Sequence, residues 1–302
     1  MSTAFANHDP PPVLTPFDFL RLARSVAKAA RPFKPGAGAL FPSALEMEGL
    51  TLGDPLADRS VGPLHDFLLS LLGVAGQVAT PTPRTGWRDY ATALRSAFVA
   101  APERALYFRG LEADGTPRVT AHGARALLNE ARAAAFLFSG RKRVIVTVPL
   151  THSFGFVFGL LAPRLLKIPA LDANPFPRLA DCPLEKGDLL VLFPQLLKKL
   201  AVVPPPDVSL LCSASPPLDD RFFQTARHVG FLSLAEVYGV SVTGALGYRK
   251  SAGPYELFPH FQRDGERGAL RIDTGARLVS RRLVWRKERH FSHFGAGGAG
   301  AP

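Results

Sequence analysis

The middle of this chain alternates short apolar runs with helix-like stretches, and that alternation leaves few architectures open. Val144-Ile145-Val146 and the runs from Asp188 to Phe193, Val208 to Cys212 and Leu232 to Val237 are short and aliphatic, as buried strands are. Between them, Gln195 to Ala201 and Leu218 to Val229 carry helical spacing. Strands apolar on both faces and joined through helices predict a mixed or mostly parallel sheet flanked by helices, an α/β class. With 302 residues, 47% of them hydrophobic, the chain can build such a core in one large domain or two packed ones.

The flanking sequence fits this plan. Thr15 before Pro16 and Asp18 predicts a capped helix running to about Ala30. Leu64 to Leu72 is a short apolar helix, and Trp87, Tyr90, Leu94 and Phe98 fall on one face of another. Ala105 to Phe108 reads as a strand, followed by a turn-rich stretch from Arg109 to Arg118 and a helix from near Thr120 that ends by Ser139-Gly140. A strand is expected at Arg143 to Val148. Beyond Thr243 the pattern becomes short β-like pieces at Gly244 to Arg249, Ala269 to Ile272 and Arg277 to Val279. The predicted organisation is a flexible leader over 1–14, an α/β core over 15–240, a small β-containing lobe over 241–280 and a basic Gly-rich tail over 281–302.

Cys182 and Cys212 stand in unrelated contexts, so no zinc site is expected, and a cytoplasmic setting without a secretory signal is the simplest reading. Val144 to Pro163 is the most apolar stretch, yet Pro149 and His152 interrupt it and Arg141, Lys142, Arg143, Arg164 and Lys167 flank it. It reads as a strand and a helix, and membrane insertion is not expected. The formal charge of +11 favours contact with phosphate groups and raises a basic nucleic-acid-binding module as a competing function. The basic residues are scattered without aromatic interleaving, so nucleic acid is not the expected partner.

Three motifs stand in a fixed order. Val148-Pro149-Leu150-Thr151-His152-Ser153-Phe154-Gly155 places proline and histidine before a glycine on an apolar helix. Leu211-Cys212-Ser213-Ala214-Ser215-Pro216-Pro217-Leu218 ends a strand on small residues, where backbone and ligand can approach closely. Glu236-Val237-Tyr238-Gly239-Val240-Ser241-Val242-Thr243-Gly244 is the third. Together they resemble the N-terminal core of the adenylate-forming (AMP-binding) acyl/aryl acid ligase superfamily over about residues 15 to 280. The resemblance implies the family's core fold with a small β-containing lobe; the family's C-terminal lid domain is not expected here.

It also implies ATP and Mg2+ as cofactors and a small carboxylic acid as substrate, with a complete ligase or a carrier protein as further partners. His152 and Gly155 then fall beside the acid, while Gly115, Arg118, Ser215, Tyr238, Gly239 and Ser241 fall beside the nucleotide. Each has a plainer alternative: His152 as a helix-start residue, Tyr238 as core packing, Arg118 as a solvated cation. The sequence also departs from the family. Val242 occupies the metal-side carboxylate position without an oxygen, so no residue is assigned as a metal ligand. Gly110 to Arg118 stands where the phosphate loop belongs, but Leu111, Glu112, Ala113 and Asp114 replace its small and hydroxylated residues. These departures, with no catalytic residue assigned, lead to the expectation of a non-catalytic or weakly active homologue able to bind a carboxylate or nucleotide. The alternative is an ATP-dependent acyl/aryl acid ligase forming an acyl-adenylate.

Overall fold

The structure, a computed structural model, describes residues 14–29, 49–52, 61–100, 104–111, 116–173, 184–197, 204–214, 217–240, 243–264, 269–272, 277–279 and 283–293. The chain divides into two compact units, Met1–Tyr107 with Ala121–Leu128, and Phe108–Thr120 with Asn129–Pro302.

The first unit is helical. Helix α1 (Pro16–Ala29) begins on a reciprocal cap: Thr15 donates its backbone N–H and its hydroxyl to the Asp18 carboxylate at 2.7 and 2.8 Å. Helices α2 (Val61–Leu72) and α3 (Trp87–Val99) bury Leu68, Leu72, Trp87 and Leu94. Phe19 of α1 packs edge-on against Phe98 of α3 at 5.5 Å, and the Arg95 side chain donates to the Leu14 carbonyl at 2.9 Å. Inside this unit His65 Nδ1 lies 2.9 Å from the Tyr90 hydroxyl, so the buried pair satisfies itself.

Strands β1 (Ala105–Leu111) and β2 (Pro117–Gly123) pair as a separate two-stranded sheet. The helix expected from Thr120 therefore starts later, as α4 (Ala124–Ala133), because Val119 and Thr120 are β-branched and take up the strand. A short 3-10 turn, Ala135–Phe138, leads out of α4.

The second unit is built on a nine-stranded mixed sheet of order β13-β14-β9-β8-β7-β6-β5-β3-β4. Its parallel half consists of β3 (Arg143–Val146), β4 (Ala170–Asp172), β5 (Asp188–Leu192), β6 (Ser209–Ser213) and β7 (Ser233–Val240). Every residue of β5 is buried, which is why these strands read as continuous apolar runs rather than alternating ones. Ser153–Gly155 (α5), a π-turn at Phe156–Leu161 and Ala162–Leu166 (α6) form the connection after β3. Pro194–Leu197 (α7) follows β5, and Asp220–Val229 (α8) follows β6. One core cluster joins the sheet to α8 through Ile145, Leu190, Leu210, Cys212, Phe223 and Phe231.

The antiparallel half adds β8 (Gly244–Arg249), β9 (Tyr255–Leu257), β13 (Leu283–Lys287) and β14 (His290–His293). Strands β10 (Phe261–Arg263), β11 (Ala269–Ile272) and β12 (Arg277–Val279) make a small antiparallel sheet. The stretch expected to be a basic tail thus contains the hairpin β13–β14. Its basic side chains are interleaved with Leu283, which is buried, and Phe291, whose ring stacks on Tyr255 at 5.5 Å. The fold is mixed α/β with a mostly parallel central sheet flanked by helices.

Candidate functional site

The order of the parallel strands reverses at β3, which has β4 on one side and β5 on the other. The chain leaves β3 towards one edge of the sheet and leaves β5 towards the opposite edge. Such a reversal opens a crevice outside the carboxyl ends of the two strands, where open α/β sheets bind ligands.

His152 stands at that crevice. Thr147 continues past β3 and donates both its N–H and its hydroxyl to the Val191 carbonyl of β5, at 3.0 and 2.9 Å, closing the two strand ends together. The His152 N–H then donates to the Pro149 carbonyl at 3.1 Å, and the residue caps the helix that follows with φ −94° and ψ 139°. Its Nδ1 accepts the Phe154 N–H at 3.2 Å, so a neutral imidazole carries its proton on Nε2. Burial lowers the histidine below its ordinary value and favours that neutral form. The ring meets Phe193, the residue after β5, edge-on at 5.3 Å, and Phe193 also lies 6.0 Å from Phe154. Histidine as helix cap and histidine as substrate contact are therefore compatible: one nitrogen serves the cap and the other is left to donate.

Gly155 has a different task from its neighbour. A Cβ there would collide with the Pro149 carbonyl, so the glycine lets the helix turn close over the end of β3. The π-turn follows at once, and Phe156 and Phe158 within it are buried core residues. A π-turn beside a strand end is a frequent companion of functional sites.

The end of β6 is fastened through Leu218. Glu236 of β7, fully buried, accepts the Leu218 N–H at 2.9 Å and the Tyr255 hydroxyl at 2.8 Å. Arg249 of β8 pairs with Glu236 at 2.6 Å and donates to the Leu218 carbonyl at 2.6 Å. The ion pair thus holds both backbone groups of one residue in the β6–α8 connection. Ser215 lies in this connection but outside the described residues.

At the end of β7, Tyr238 is buried, with Tyr255 at 5.3 Å and Phe291 at 5.8 Å from its ring. Gly239 sits at a β-bulge against β8. Ser241 and Val242 lie outside the described residues, as do Gly115, Glu112 and Asp114 of the candidate phosphate loop. Arg118 is exposed on β2. Among the described sites, the fold brings His152 and Gly155 to the end of β3 and Tyr238 and Gly239 to the end of β7, with β5 and β6 between. Three strand spacings separate the two ends, about 14 Å.

One carboxyl in this region escaped sequence reasoning. Glu130 is buried on α4, accepts the Ala245 backbone N–H, and is pushed up to about 8 by desolvation. Gly244, with φ +72°, places its Cα where a Cβ would strike that carboxyl. The available signal was Glu130 falling between Leu127 and Ala131 on the apolar side of its helix, both of which are buried. Among the described residues no cluster of three or more histidine, cysteine or acidic side chains suits a metal ion. No helix among them is long and apolar enough to cross a membrane.

No protein-family profile matches the chain. It is 28% identical to a 4-coumarate–CoA ligase of Rhodobacter capsulatus over 234 residues, spanning 74% of this chain and 61% of the relative. A 4-coumarate–CoA ligase of Halorhodospira halophila is 30% identical over 194 residues, spanning 62% of this chain and 49% of the relative. The chain thus spans only about half to three-fifths of the curated relatives it matches. In fold it resembles an acyl-CoA synthetase (AMP-forming)/AMP-acid ligase II-like protein from Dyadobacter fermentans, with a TM-score of 0.54 at 15% identity over 74% of this chain and 67% of the other. VinN matches with a TM-score of 0.51 at 14% identity over 76% of each chain.

These relatives overturn the expectation of a non-catalytic or weakly active homologue, since both curated ones are CoA ligases by name. That expectation rested on Glu112, Asp114 and Val242, none of which lies within the described residues, so no geometry of this chain supports a loss of function. Sequence relatives and strand order point the same way: the chain is similar in sequence to 4-coumarate–CoA ligases and in fold to an AMP-forming acyl-CoA synthetase-like protein.

Proposed function

We propose that the chain carries the acid-activating centre of an ATP-dependent acyl or aryl acid ligase. In this reaction a carboxylate oxygen attacks the α-phosphorus of ATP, the bond to the β-phosphate breaks, and pyrophosphate leaves with that bond's electrons. The product is an acyl-adenylate, a mixed anhydride open to attack by a thiol. Coenzyme A is the acceptor in the matched relatives' names and is the acceptor proposed here.

The observation that carries this reading is His152 at the strand-order reversal, neutral, with Nε2–H left to donate. A donor at that point holds one oxygen of the acid while the other is turned towards the nucleotide, and as charge shifts from carboxylate to anhydride the contact persists as a hydrogen bond to the acyl oxygen. Tyr238 and Gly239 end the strand about 14 Å away, a span suited to a nucleotide joined to an acyl group. Val242, at the position that the resemblance gives to the metal-side carboxylate, is a hydrocarbon, so magnesium is given no protein ligand here.

The test is ATP–pyrophosphate exchange driven by a panel that includes 4-coumarate, benzoates and short aliphatic acids. Acid-dependent exchange above the acid-free rate is expected. His152→Ala should lower kcat/KM for the acid by about 10- to 100-fold, the equivalent of one hydrogen bond to a charged group, with the fold intact. A wild-type chain that gives no exchange with any acid overturns the reading.

A further inference from the structure

A cavity of about 410 Å3 lies in the second unit, lined by Pro217, Arg249, Gly253, Pro254, Tyr255, Arg286 and Ser292. Its lining holds two guanidinium groups and no carboxylate. We propose that this cavity is a second ligand site, one that takes a phosphate group.

The two arginines are prepared differently. Arg249 is nine-tenths buried and held on every side: Nε on Glu236 at 2.6 Å, one terminal nitrogen on the Gly253 carbonyl at 2.9 Å and the other on the Leu218 carbonyl at 2.6 Å. Its guanidinium lies 4.5 Å from the centre of the Tyr255 ring. Three nitrogens so fixed leave two N–H bonds of a five-donor fork for a ligand, with no loss of side-chain freedom on binding. Glu236 neutralises this charge from beneath, so Arg249 supplies geometry more than field.

Arg286 supplies the field. It is exposed, on the outer strand β13, and its Nε donates to Ser292 of β14 at 3.0 Å. That bond turns the guanidinium and makes the serine oxygen an acceptor, which leaves the serine hydroxyl proton to donate. One fixed fork, one exposed fork and a hydroxyl around a cavity lined by no carboxylate match a tetrahedral oxyanion, which accepts on several oxygens, better than a neutral ligand. The volume exceeds that of a bare phosphate and admits a phosphate ester. Pro217 and Tyr255 border the candidate site, but Arg286 and Ser292 belong to the outer hairpin β13–β14, which the ligase reading does not use, so this proposal goes beyond that reading.

The experiment titrates the whole chain with inorganic phosphate at constant ionic strength and follows the arginine Nε–H signals by NMR. The Arg286 and Arg249 signals should move together and saturate. Arg286→Ala should weaken binding at least tenfold and Arg286→Lys should restore only part, because an ammonium lacks the fork. Arg227→Ala, the removal of an exposed cation on α8, should leave binding unchanged. Failure of the Arg286 signal to saturate, unaltered affinity in Arg286→Ala, or an equal loss in Arg227→Ala would each overturn the proposal, the last by reducing it to general attraction to a basic chain. Absence of acid-dependent exchange, in contrast, leaves this result untouched.

Discussion

Replacing Glu130 by glutamine should stabilise the protein, and increasingly so as the pH rises. The carboxyl is buried against Gly244 and Ala245, and desolvation holds it at about 8 against an ordinary value of 4.5. A group with a folded value above its unfolded one binds its proton more firmly in the native state. For this acid the folded state is therefore best placed below pH 4.5, loses ground as pH climbs towards 8, and above 8 bears the whole cost of a buried carboxylate. Each pH unit within that window is worth about 1.4 kcal/mol, so the wild type gives up about 3 kcal/mol by pH 7 and about 5 kcal/mol above pH 8. Glutamine has nearly the same shape, keeps a carbonyl for the Ala245 N–H and never ionises. Urea unfolding followed by circular dichroism from pH 5 to pH 9 reads the difference directly. The two proteins should lie within about 1 kcal/mol at pH 5 and diverge by several kcal/mol at pH 9. A constant offset at every pH would refute the argument, because it would mean that Glu130 titrates alike in the folded and unfolded chains.

Two further substitutions test the packing around the same strand ends. Gly244→Ala puts a methyl group against the Glu130 carboxyl at a left-handed backbone position, and should cost about 2–4 kcal/mol in urea unfolding. Arg249→Met leaves Glu236 buried without its cation and should cost about 3–5 kcal/mol; adding Glu236→Gln should return part of that loss, and a double variant as unstable as the single one would deny that the unpaired charge is the cause.

The parallel half of the sheet was legible because burial on both faces writes itself as unbroken apolar runs. The run from Asp188 to Phe193 became β5, that from Val208 to Cys212 became β6, and that from Leu232 to Val237 became β7. His152 was legible for two reasons at once, as a residue preceding an apolar helix and as part of a motif, and the structure gives each role its own nitrogen. The hairpin β1–β2 was half missed because Val119 and Thr120 border an alanine-rich helix whose periodicity dominates any window that includes them. Strands β13 and β14 were missed because the charged run Arg286-Lys287-Glu288-Arg289 at their junction hides Leu283 and Phe291, the two residues that decide their burial. The Glu236–Arg249 pair and the Glu130 pocket depend on contacts between elements far apart in sequence, which no local pattern encodes.

The position of β7, with a parallel neighbour on one side and an antiparallel one on the other, bears on how the sheet is completed during synthesis. An uncovered strand edge invites pairing with a foreign chain for as long as it waits. The partner on the antiparallel side, β8, starts at Gly244 just after β7 ends at Val240, so at about 5–20 residues per second that edge is closed within about 2 s of the strand's emergence. Strand β3 waits longer, since its inner partner β5 begins only at Asp188, and its exposed interval is about 2–8 s. The sheet's vulnerable moment during translation therefore falls early, at β3, before the antiparallel half has been made.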